Sequence, residues 1–266
     1  MTQETSSPQK ALITGASSGI GATYADRLAR RGMDLVLVAR NATRLGTLAD
    51  RLRAQTGVRI EVLPADLTLE ADLSVVQRRL EEGDVTMLVN NAGMALKGGL
   101  LDASSDDLTR IIALNVLAPT RLAASAGKTF AARGQGAIVN LGSVLSLAPE
   151  MLDGVYSGTK AYVLNLSQSM TAQLKGRGVF VQVVLPGATR TEIWERSGND
   201  VNALPPEMVM GVDELVDAAL VGFDRGEDVT IPPLQDDAPF REMTSVRLAM
   251  MPLLSTNAAA PRYRGA

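Results

Sequence analysis

The feature of the sequence that most constrains its fold is a regular alternation of short apolar runs with longer helical stretches. Runs rich in Val, Ile and Leu occur at positions 11–13, 35–38, 58–63, 87–89, 137–141 and 179–185. Helical patterns lie between them, most clearly at 70–81, 105–133 and 154–175. Continuous apolar runs separated by helices are typical of a parallel sheet buried on both faces. The alternation therefore predicts a doubly wound α/β fold with helices on both sides of the sheet.

One domain is predicted for residues 1–235, because no repeat, low-complexity segment or linker interrupts the alternation. A last candidate strand at 228–231 ends at Pro232-Pro233, which suits a sheet edge because proline cannot donate to the ladder. Residues 236–266 form a C-terminal extension, which has little periodicity from Leu254 onward. That extension is expected either to be partly mobile or to pack on a neighbouring subunit.

Histidine and cysteine are both absent from the 266 residues. Their absence excludes a Ser-His-Asp triad, a thiol nucleophile and a Cys/His zinc site, so no metal site is predicted. Proton transfer must then fall to Asp, Glu, Lys, Tyr or a bound cofactor. The net charge of −3 weighs against a nucleic-acid partner.

Neither a targeting segment nor a membrane segment is indicated. The first ten residues lack the apolar core of a signal peptide, and no run approaches the roughly 20 apolar residues of a membrane helix. We therefore expect a cytoplasmic protein with no membrane partner.

A glycine-rich turn, TGASSGIG at 14–21, follows the first apolar run. Glycines let the backbone approach a phosphate closely, and amides at a helix start favour negative charge. The Gly-x-x-x-Gly-x-Gly spacing differs from that of the common dinucleotide fingerprint, and the alternative is a tight turn with no ligand. Its place after the first strand favours a pyrophosphate site. The predicted cofactor contacts in this turn are Gly15, Ser17, Ser18, Gly19, Ile20 and Gly21.

The end of the second strand indicates which nicotinamide cofactor is used. An acidic residue there would bind the ribose 2′-OH, whereas an arginine accommodates a 2′-phosphate. Arg40 occupies this place, and Asp34 precedes the strand, at the wrong end of the sheet. NADP is therefore predicted over NAD, the alternative being that Arg40 is a solvated surface residue.

Two further segments follow predicted strands, at the sheet edge where open α/β sheets bind ligands. Asp66 and Leu67 follow the third strand, and Asp66 could accept a hydrogen bond from the adenine amino group or could cap a helix. Asn91, Ala92 and Gly93 follow the fourth strand. That turn could contact cofactor, or it could hold the sheet together through side-chain to backbone bonds.

Tyr156 and Lys160 lie four residues apart in a helical stretch, so their side chains share one face. A free phenol, with a pKa of about 10, is a poor base at neutral pH. A nearby cation lowers that pKa, and bound oxidised nicotinamide would add to the effect. The spacing predicts a tyrosine that exchanges a proton with a substrate oxygen.

Ser143 supports this interpretation, because it lies just past the fifth apolar run, thirteen residues before Tyr156. A hydroxyl at a carboxyl strand end can donate to a carbonyl oxygen as negative charge develops there. Ser146 is a competitor for that role, and taken alone Ser143 would be a loop or capping serine.

Together these residues resemble the classical branch of the short-chain dehydrogenase/reductase family. The similarity runs from about residue 9 to residue 190 and includes the 14–21 turn, Asp66, Asn90-Asn-Ala-Gly93, Asn115, Ser143, Tyr156-x-x-x-Lys160 and Pro186-Gly187. It implies a single Rossmann-like domain with a seven-stranded parallel sheet. It also implies assembly as a homodimer or homotetramer.

The resemblance assigns roles to four residues. It implies that Tyr156 is the general acid/base and that Ser143 polarises the carbonyl group. Lys160 would bind the nicotinamide ribose and lower the tyrosine pKa. Asn115 would anchor a water that relays protons to Lys160, whereas without the family it would be a buried helix-bending residue.

The segment after the sixth strand is implied to contact the nicotinamide, through Pro186, Gly187, Thr189 and Thr191. The family usually has Val where Thr189 stands, so the carboxamide contact is assigned to Thr191. A second departure concerns the glycine turn, where many NADP-dependent members carry a basic residue and this chain has Ser17-Ser18. The NADP prediction therefore depends on Arg40 and on the missing acid.

Substrate selection is implied to lie in residues 192–211, which contain the only tryptophan, Trp194. Other candidate pocket walls are Met94, Leu145, Met151, Leu152, Ile193, Leu204, Met208, Val209 and Met210. These side chains suggest an apolar pocket, the alternative being a loop packed on its own domain. Arg190 and Arg196 could meet a substrate carboxylate, or they could be solvated.

The leading hypothesis is an NADP-dependent oxidoreductase that interconverts a ketone or aldehyde and an alcohol on a small, fairly apolar substrate. The alternative from another class is a non-catalytic dinucleotide-binding regulator of the same fold. A third possibility is an epimerase or dehydratase that transfers hydride only transiently, for which 266 residues leave little room.

Overall fold

The structure is a computed structural model that describes residues 9–151 and 154–264. Its seven strands form one parallel sheet in the order β3-β2-β1-β4-β5-β6-β7. The strands are β1 Lys10–Thr14, β2 Asp34–Ala39, β3 Ile60–Pro64, β4 Met87–Asn90, β5 Gly136–Leu141, β6 Val179–Val184 and β7 Val229–Thr230. The predicted doubly wound parallel sheet is confirmed, and each strand end lies within two residues of its predicted position.

Helices connect the strands and cover both faces of the sheet. They are α1 Gly19–Arg30, α2 Ala42–Thr56, α3 Glu70–Glu81, α4 Ser105–Ile112, α5 Ala118–Arg133, α6 Gly154–Leu174, α7 Ile193–Arg196 and α8 Val212–Asp224. A ninth helix, α9 Ala238–Met250, follows the last strand. Each parallel connection needs such a crossover, because the chain must return to the same edge before the next strand begins.

Successive strand residues pack on opposite faces of the sheet, as the period of two requires. Ala11 and Ile13 of β1 belong to a core cluster with residues of α1, α2 and α8. Leu12 belongs to a second cluster with residues of α3 and α5. Both faces are therefore apolar, which explains why the strands read as continuous apolar runs instead of alternating ones.

The helical stretch predicted at 105–133 contains one irregular turn. Residues Ala113–Leu117, between α4 and α5, form a π-helical turn that includes Asn115. Such turns are rare and recur at functional sites. This turn directs Asn115 inward, where only 2% of its surface is exposed.

The chain divides into two units, Met1–Pro232 and Pro233–Ala266. The first contains the whole sheet and the site residues discussed below. The second contains α9, a helix that the sequence interpretation does not include, followed by short 3-10 turns at Met251–Leu253 and Pro261–Tyr263.

Residues 9–151 and 154–264 contain neither a membrane-spanning helix nor a cluster of potential metal ligands. None of their helices combines the length and the apolar character needed to cross a bilayer. Nor do these residues contain a group of three or more Asp or Glu side chains placed to hold a metal ion.

Candidate active site

The predicted site residues meet at one edge of the sheet. The strands are parallel, so the segments that follow β1, β4, β5 and β6 all leave the sheet at its carboxyl edge. These segments contain the glycine turn, Asn91–Gly93, Ser143 and Pro186–Thr191. Helix α6 adds Tyr156 and Lys160 to the same place, and open α/β sheets bind ligands at this edge.

Ser143 and Tyr156 are joined by a side-chain hydrogen bond. Ser143 is buried after β5, and its hydroxyl also accepts a bond of 3.2 Å from the amide of Leu145. The competing hydroxyl of Ser146 is buried with no hydrogen-bond partner in the described chain. Ser143, and not Ser146, is therefore the serine that is hydrogen-bonded to Tyr156.

Lys160 lies beside the same tyrosine, on the shared helix face that the spacing predicts. Its Nζ lies 5.8 Å from the centre of the Tyr156 ring and donates a 2.8 Å hydrogen bond to the carbonyl oxygen of Leu141. The lysine is 7% exposed, and this burial lowers its pKa to about 8. A buried ammonium is costly, so one strong backbone acceptor is a needed partner.

The pKa of Tyr156 is shifted in the direction opposite to the expected one. The i, i+4 spacing predicts a value lowered by Lys160, but burial of the phenol raises the pKa to about 12 against a smaller lowering by the Ser143 hydrogen bond. Desolvation penalises the phenolate more than these neighbours stabilise it. Without cofactor, Tyr156 therefore holds its proton at neutral pH.

Asn115 contacts the site through the π-helical turn. Its Oδ1 accepts a 2.9 Å bond from the amide of Met94, and its Nδ2 donates to the Met94 carbonyl at 2.8 Å. A Cβ on Gly93 would lie 3.4 Å from Asn115 Oδ1 and 3.5 Å from Lys160 Nζ, so Asn115 and Lys160 flank the same glycine. The amide group of Asn115 is thus hydrogen-bonded to the backbone of the segment that follows β4.

Thr159 is a site residue that sequence reasoning missed. Its hydroxyl donates to the Tyr156 carbonyl at 2.7 Å and accepts from Asn115 Nδ2 at 3.1 Å. It is 2% exposed. The sequence shows a hydroxyl residue immediately before Lys160. It does not show the contact with Asn115, which lies 44 positions away and meets Thr159 only in the folded chain.

The glycine turn is packed tightly against the segment after β4. Gly15 has φ of +65°, and a Cβ there would lie 2.7 Å from Asn91 Nδ2. Asn91 donates to the carbonyls of Thr14 and Gly15, at 2.9 and 3.3 Å. The amides of Asn91 and Ala92 both donate to Thr14 Oγ1 at 3.0 Å. The Asn91 side chain therefore holds the glycine turn in place through side-chain to backbone bonds. This is the second of the two roles considered for it from the sequence.

Helix α1 begins at Gly19, within this turn, with Ser18 as its N-cap residue. The Ser18 side chain makes no capping hydrogen bond, so it does not satisfy the amides of the first turn. Uncapped amides at a helix start fit a pyrophosphate. The residues present therefore suit the phosphate part of a dinucleotide.

Arg40 and Asp66 face each other at the ends of β2 and β3. Arg40 Nη1 is 4.0 Å from Asp66 Oδ2, and the arginine side chain is 62% exposed. Asp66 Oδ1 accepts from the Thr68 amide at 3.0 Å and from its hydroxyl at 2.7 Å. Burial opposes ionisation of Asp66, but these bonds and the Arg40 charge keep its pKa below the ordinary value. Asp66 does not cap α3, whose N-cap residue is Leu69.

Asp34 lies at the other end of β2, where its sequence position predicts it. It is the first residue of the strand and pairs with Arg59 at 2.6 Å. It therefore cannot replace the missing acid at the carboxyl edge, and Arg40 remains the charged residue that follows β2.

The segment after β6 returns over the glycine turn. Thr191 lies against α1, since a Cβ on Gly19 would be 3.4 Å from Thr191 Cγ2. Thr189 turns away, with its hydroxyl bonded to the Gly187 carbonyl at 3.0 Å. This arrangement is compatible with the preference for Thr191 over Thr189 as the carboxamide contact.

Residues 192–209, here called the substrate loop, have their ends held together by backbone bonds. Arg190 N donates to Met210 O at 3.1 Å, and Met210 N donates to Ala188 O at 2.9 Å. Trp194 Nε1 donates to the Thr189 carbonyl at 2.8 Å. The two ends of the loop are therefore held together beside the segment that follows β6.

The candidate pocket walls differ in burial. Two of them, Met151 and Met208, are exposed. The others that the structure describes are half-buried: Met94, Leu145, Ile193, Trp194, Leu204, Val209 and Met210. Leu152 lies outside the described residues. Arg190 is bonded to Asn202 at 2.8 Å and Arg196 pairs with Glu192, so both arginines have partners within the loop.

A family model described as short chain dehydrogenase matches residues 9–202, well over half of the chain. The chain belongs to the short-chain dehydrogenase/reductase family. The family resemblance drawn from the sequence motifs is thereby confirmed.

Among solved structures of the family, a short-chain dehydrogenase from Sphingobium yanoikuyae in complex with NADPH is 55% identical, with a TM-score of 0.94. The match covers 96% of this chain and 100% of that one. A bulky-bulky ketone specific alcohol dehydrogenase from Comamonas testosteroni is 48% identical, with a TM-score of 0.90 and coverage of 97% and 99%.

More distant relatives include 17-beta-hydroxysteroid dehydrogenase type 3 of Mus musculus, which is 30% identical over 203 residues, or 76% of this chain. The chain spans 60% to 67% of the length of such curated relatives.

Proposed function

We propose that the protein is an NADP(H)-dependent oxidoreductase that interconverts a ketone or aldehyde and the corresponding alcohol. The observation that supports this most strongly is the hydrogen bond between Ser143 and Tyr156, with the Lys160 ammonium 5.8 Å from the tyrosine ring. The uncapped start of α1, which suits a pyrophosphate, lies at the same edge of the sheet as these three groups. A non-catalytic dinucleotide binder has no need of such a hydroxyl pair and cation.

NADP is proposed over NAD because of the charges at the end of β2. Arg40 is exposed there, and Asp34 is held at the opposite end by Arg59. A guanidinium suits a 2′-phosphate, whereas a ribose 2′-OH calls for a carboxylate. The Sphingobium relative, 55% identical, was solved with NADPH.

For reduction, the protein's part is to bind the carbonyl oxygen and protonate it. Reduced nicotinamide, when bound, supplies the hydride to the carbonyl carbon. The Ser143 hydroxyl donates a hydrogen bond to the oxygen as negative charge develops on it. Tyr156 then gives its phenolic proton to that oxygen, and a pKa of about 12 keeps this proton available at neutral pH.

Lys160 and Asn115 support the tyrosine in this scheme. The Lys160 ammonium, held by the Leu141 carbonyl, stabilises the phenolate left after proton transfer. The proposed water relay at Asn115 would return the proton to Tyr156 by way of Lys160. The Asn115 side chain is engaged with Met94 and Thr159, so it positions the turn where that relay would run.

The substrate is proposed to be a small, fairly apolar ketone, aldehyde or alcohol. The apolar, half-buried side chains of Met94, Leu145 and Trp194 support this substrate class. The Comamonas relative is described as specific for bulky-bulky ketones, so ketones with two large substituents belong among the first candidates. We further propose a cytoplasmic homodimer or homotetramer with no nucleic-acid or membrane partner.

A screen of reduced-nicotinamide oxidation tests this function. Purified protein is incubated with NADPH, and separately with NADH, over a panel of aldehydes, aryl ketones, ketoesters and quinones, and absorbance at the nicotinamide band is recorded. We expect turnover with at least one apolar ketone and a higher kcat/KM for NADPH than for NADH. A higher kcat/KM for NADH would contradict the cofactor assignment, and cofactor binding without turnover on any compound would favour the non-catalytic alternative.

A further inference from the structure

An ion pair connects the first turn of α2 to the start of the substrate loop. Arg44 Nη1 lies 3.0 Å from Oε1 and 2.9 Å from Oε2 of Glu192. Glu192 also pairs with Arg196 one helical turn later. Hydrogen bonding to Arg44 is the largest cause of the lowered pKa of Glu192, so the carboxylate is charged over the whole neutral range.

The two partners come from distant parts of the sheet. Arg44 follows β2 and Glu192 follows β6, and β1, β4 and β5 lie between these strands. Four strand spacings separate β2 from β6, or about 19 Å. The preceding residue, Thr191, rests on Gly19 at the start of α1. The Arg44–Glu192 pair therefore crosses the carboxyl edge on the side of the glycine turn.

Local folding does not require this pair. Helix α2 is already capped by Asn41, whose side chain accepts the Arg44 amide at 2.9 Å. The substrate loop is already closed at its base by the bonds between 188–190 and Met210. Both charged side chains are 38% to 50% exposed, and exposed pairs of this kind add little to stability.

We propose that Arg44 and Glu192 form a clasp over the dinucleotide groove, and that this clasp slows release of the bound cofactor. The inference depends on the proposed function, since it supposes a dinucleotide whose pyrophosphate lies at the glycine turn. A dinucleotide bound along that edge, from Arg40 to the segment that follows β6, would be covered by the bridge between α2 and the substrate loop. Its departure requires the loop to lift, and lifting the loop breaks the pair.

A competing role for Arg44 would be direct contact with the 2′-phosphate, one helical turn beyond Arg40. The two roles differ in their dependence on Glu192 and on the nucleotide. A clasp needs both partners and acts on NADPH and NADH alike. A phosphate ligand needs only Arg44 and acts on NADPH alone.

Stopped-flow release of reduced cofactor separates these roles. The protein is loaded with NADPH or NADH and mixed with excess NADP⁺, and loss of nicotinamide fluorescence excited through Trp194, the single tryptophan, is followed. Arg44→Gln, Glu192→Gln and the double variant are compared with wild type. Arg31→Gln is the matched control, because it breaks a similarly exposed pair, at 2.8 Å, between the C-cap residue of α1 and Asp224 of α8.

We expect either single substitution, and the double one, to speed release of both nucleotides by the same factor of about two to five, with Arg31→Gln unchanged. The reciprocal variant Arg44→Glu with Glu192→Arg should restore slow release. Unchanged release in Glu192→Gln, additive effects in the double variant, or acceleration for NADPH alone would overturn the clasp. Wild-type protein that binds neither nucleotide would overturn the proposed function itself, whereas normal binding with unaltered release in the variants overturns only the clasp.

Discussion

At the scale of single residues, Lys160 determines how the site responds to pH. Its ammonium is buried beside Tyr156 and donates to the Leu141 carbonyl at 2.8 Å, and burial lowers its pKa from 10.5 to about 8. Between these two values the folded protein binds fewer protons than the unfolded chain. Stability therefore rises with pH in this interval, and below about pH 8 the full cost of the buried charge is present.

Lys160→Met should remove this pH dependence. We expect the free energy of unfolding of wild type, minus that of the variant, to increase by about 2 to 3 kcal/mol between pH 7 and pH 10. Denaturant unfolding at several pH values measures the difference. Lys175→Met, at an exposed position, serves as the control, and a difference that stays constant with pH would contradict the assignment.

The residues at the site could be predicted from sequence to different extents. Ser143, Tyr156 and Lys160 were identified because strand ends and helix spacing place them together whatever the details of packing. The raised pKa of Tyr156 could not be predicted from the sequence, because it results from burial of the phenol by all the elements around it. The support role of Asn91 depends on its contact with Thr14, 77 positions away.

At the scale of elements, helix α6 and the π-helical turn are joined through one hydroxyl group. Thr159 donates to the Tyr156 carbonyl and accepts from Asn115, at 2.7 and 3.1 Å. Removing it leaves Asn115 Nδ2 with one partner fewer in a buried place, which is costly. It also frees the first turns of α6 to shift relative to the chain after β4.

Thr159→Val should therefore lower kcat by about tenfold to a hundredfold with little change in KM, because small misplacements of reacting groups are expensive. Thr159→Ser keeps the hydroxyl and should retain most of the wild-type kcat. Steady-state kinetics of both variants, with circular dichroism to check folding, measures the effect. Equal losses in the Ser and Val variants would show that the methyl group matters and the hydrogen bonds do not.

Elements that pack on both faces of the sheet were the most predictable. Their apolar residues must be buried, so their sequence patterns are clear. Helix α3, for example, was predicted at its observed bounds of 70–81. The π-helical turn was not predicted, because it changes hydrogen bonding without changing the apolar pattern. Helix α9 was also missed, although Phe240, Met243, Val246 and Met250 recur three or four positions apart.

At the scale of the whole molecule, strand order determines where chemistry can occur. The order β3-β2-β1-β4-β5-β6-β7 places the glycine turn beside the segment after β4, and Ser143 beside the segment after β6. Sequence periodicity indicated seven candidate strands and a parallel sheet, but it did not give the order of the strands. The contacts of the substrate loop could not be predicted from the sequence. They join distant segments, as Arg44 to Glu192 does, and no local sequence pattern indicates them.

The central claim is that the Tyr156 phenol, positioned by Ser143 and Lys160, transfers the proton in a protein without histidine. Tyr156→Phe removes one oxygen and leaves the rest of the site unchanged, so it tests the claim most directly. With NADPH and the best ketone from the screen, we predict that kcat/KM falls at least about a hundredfold, while the Kd for NADPH, measured by nicotinamide fluorescence, changes less than about threefold. Turnover at the wild-type rate in Tyr156→Phe would contradict the account.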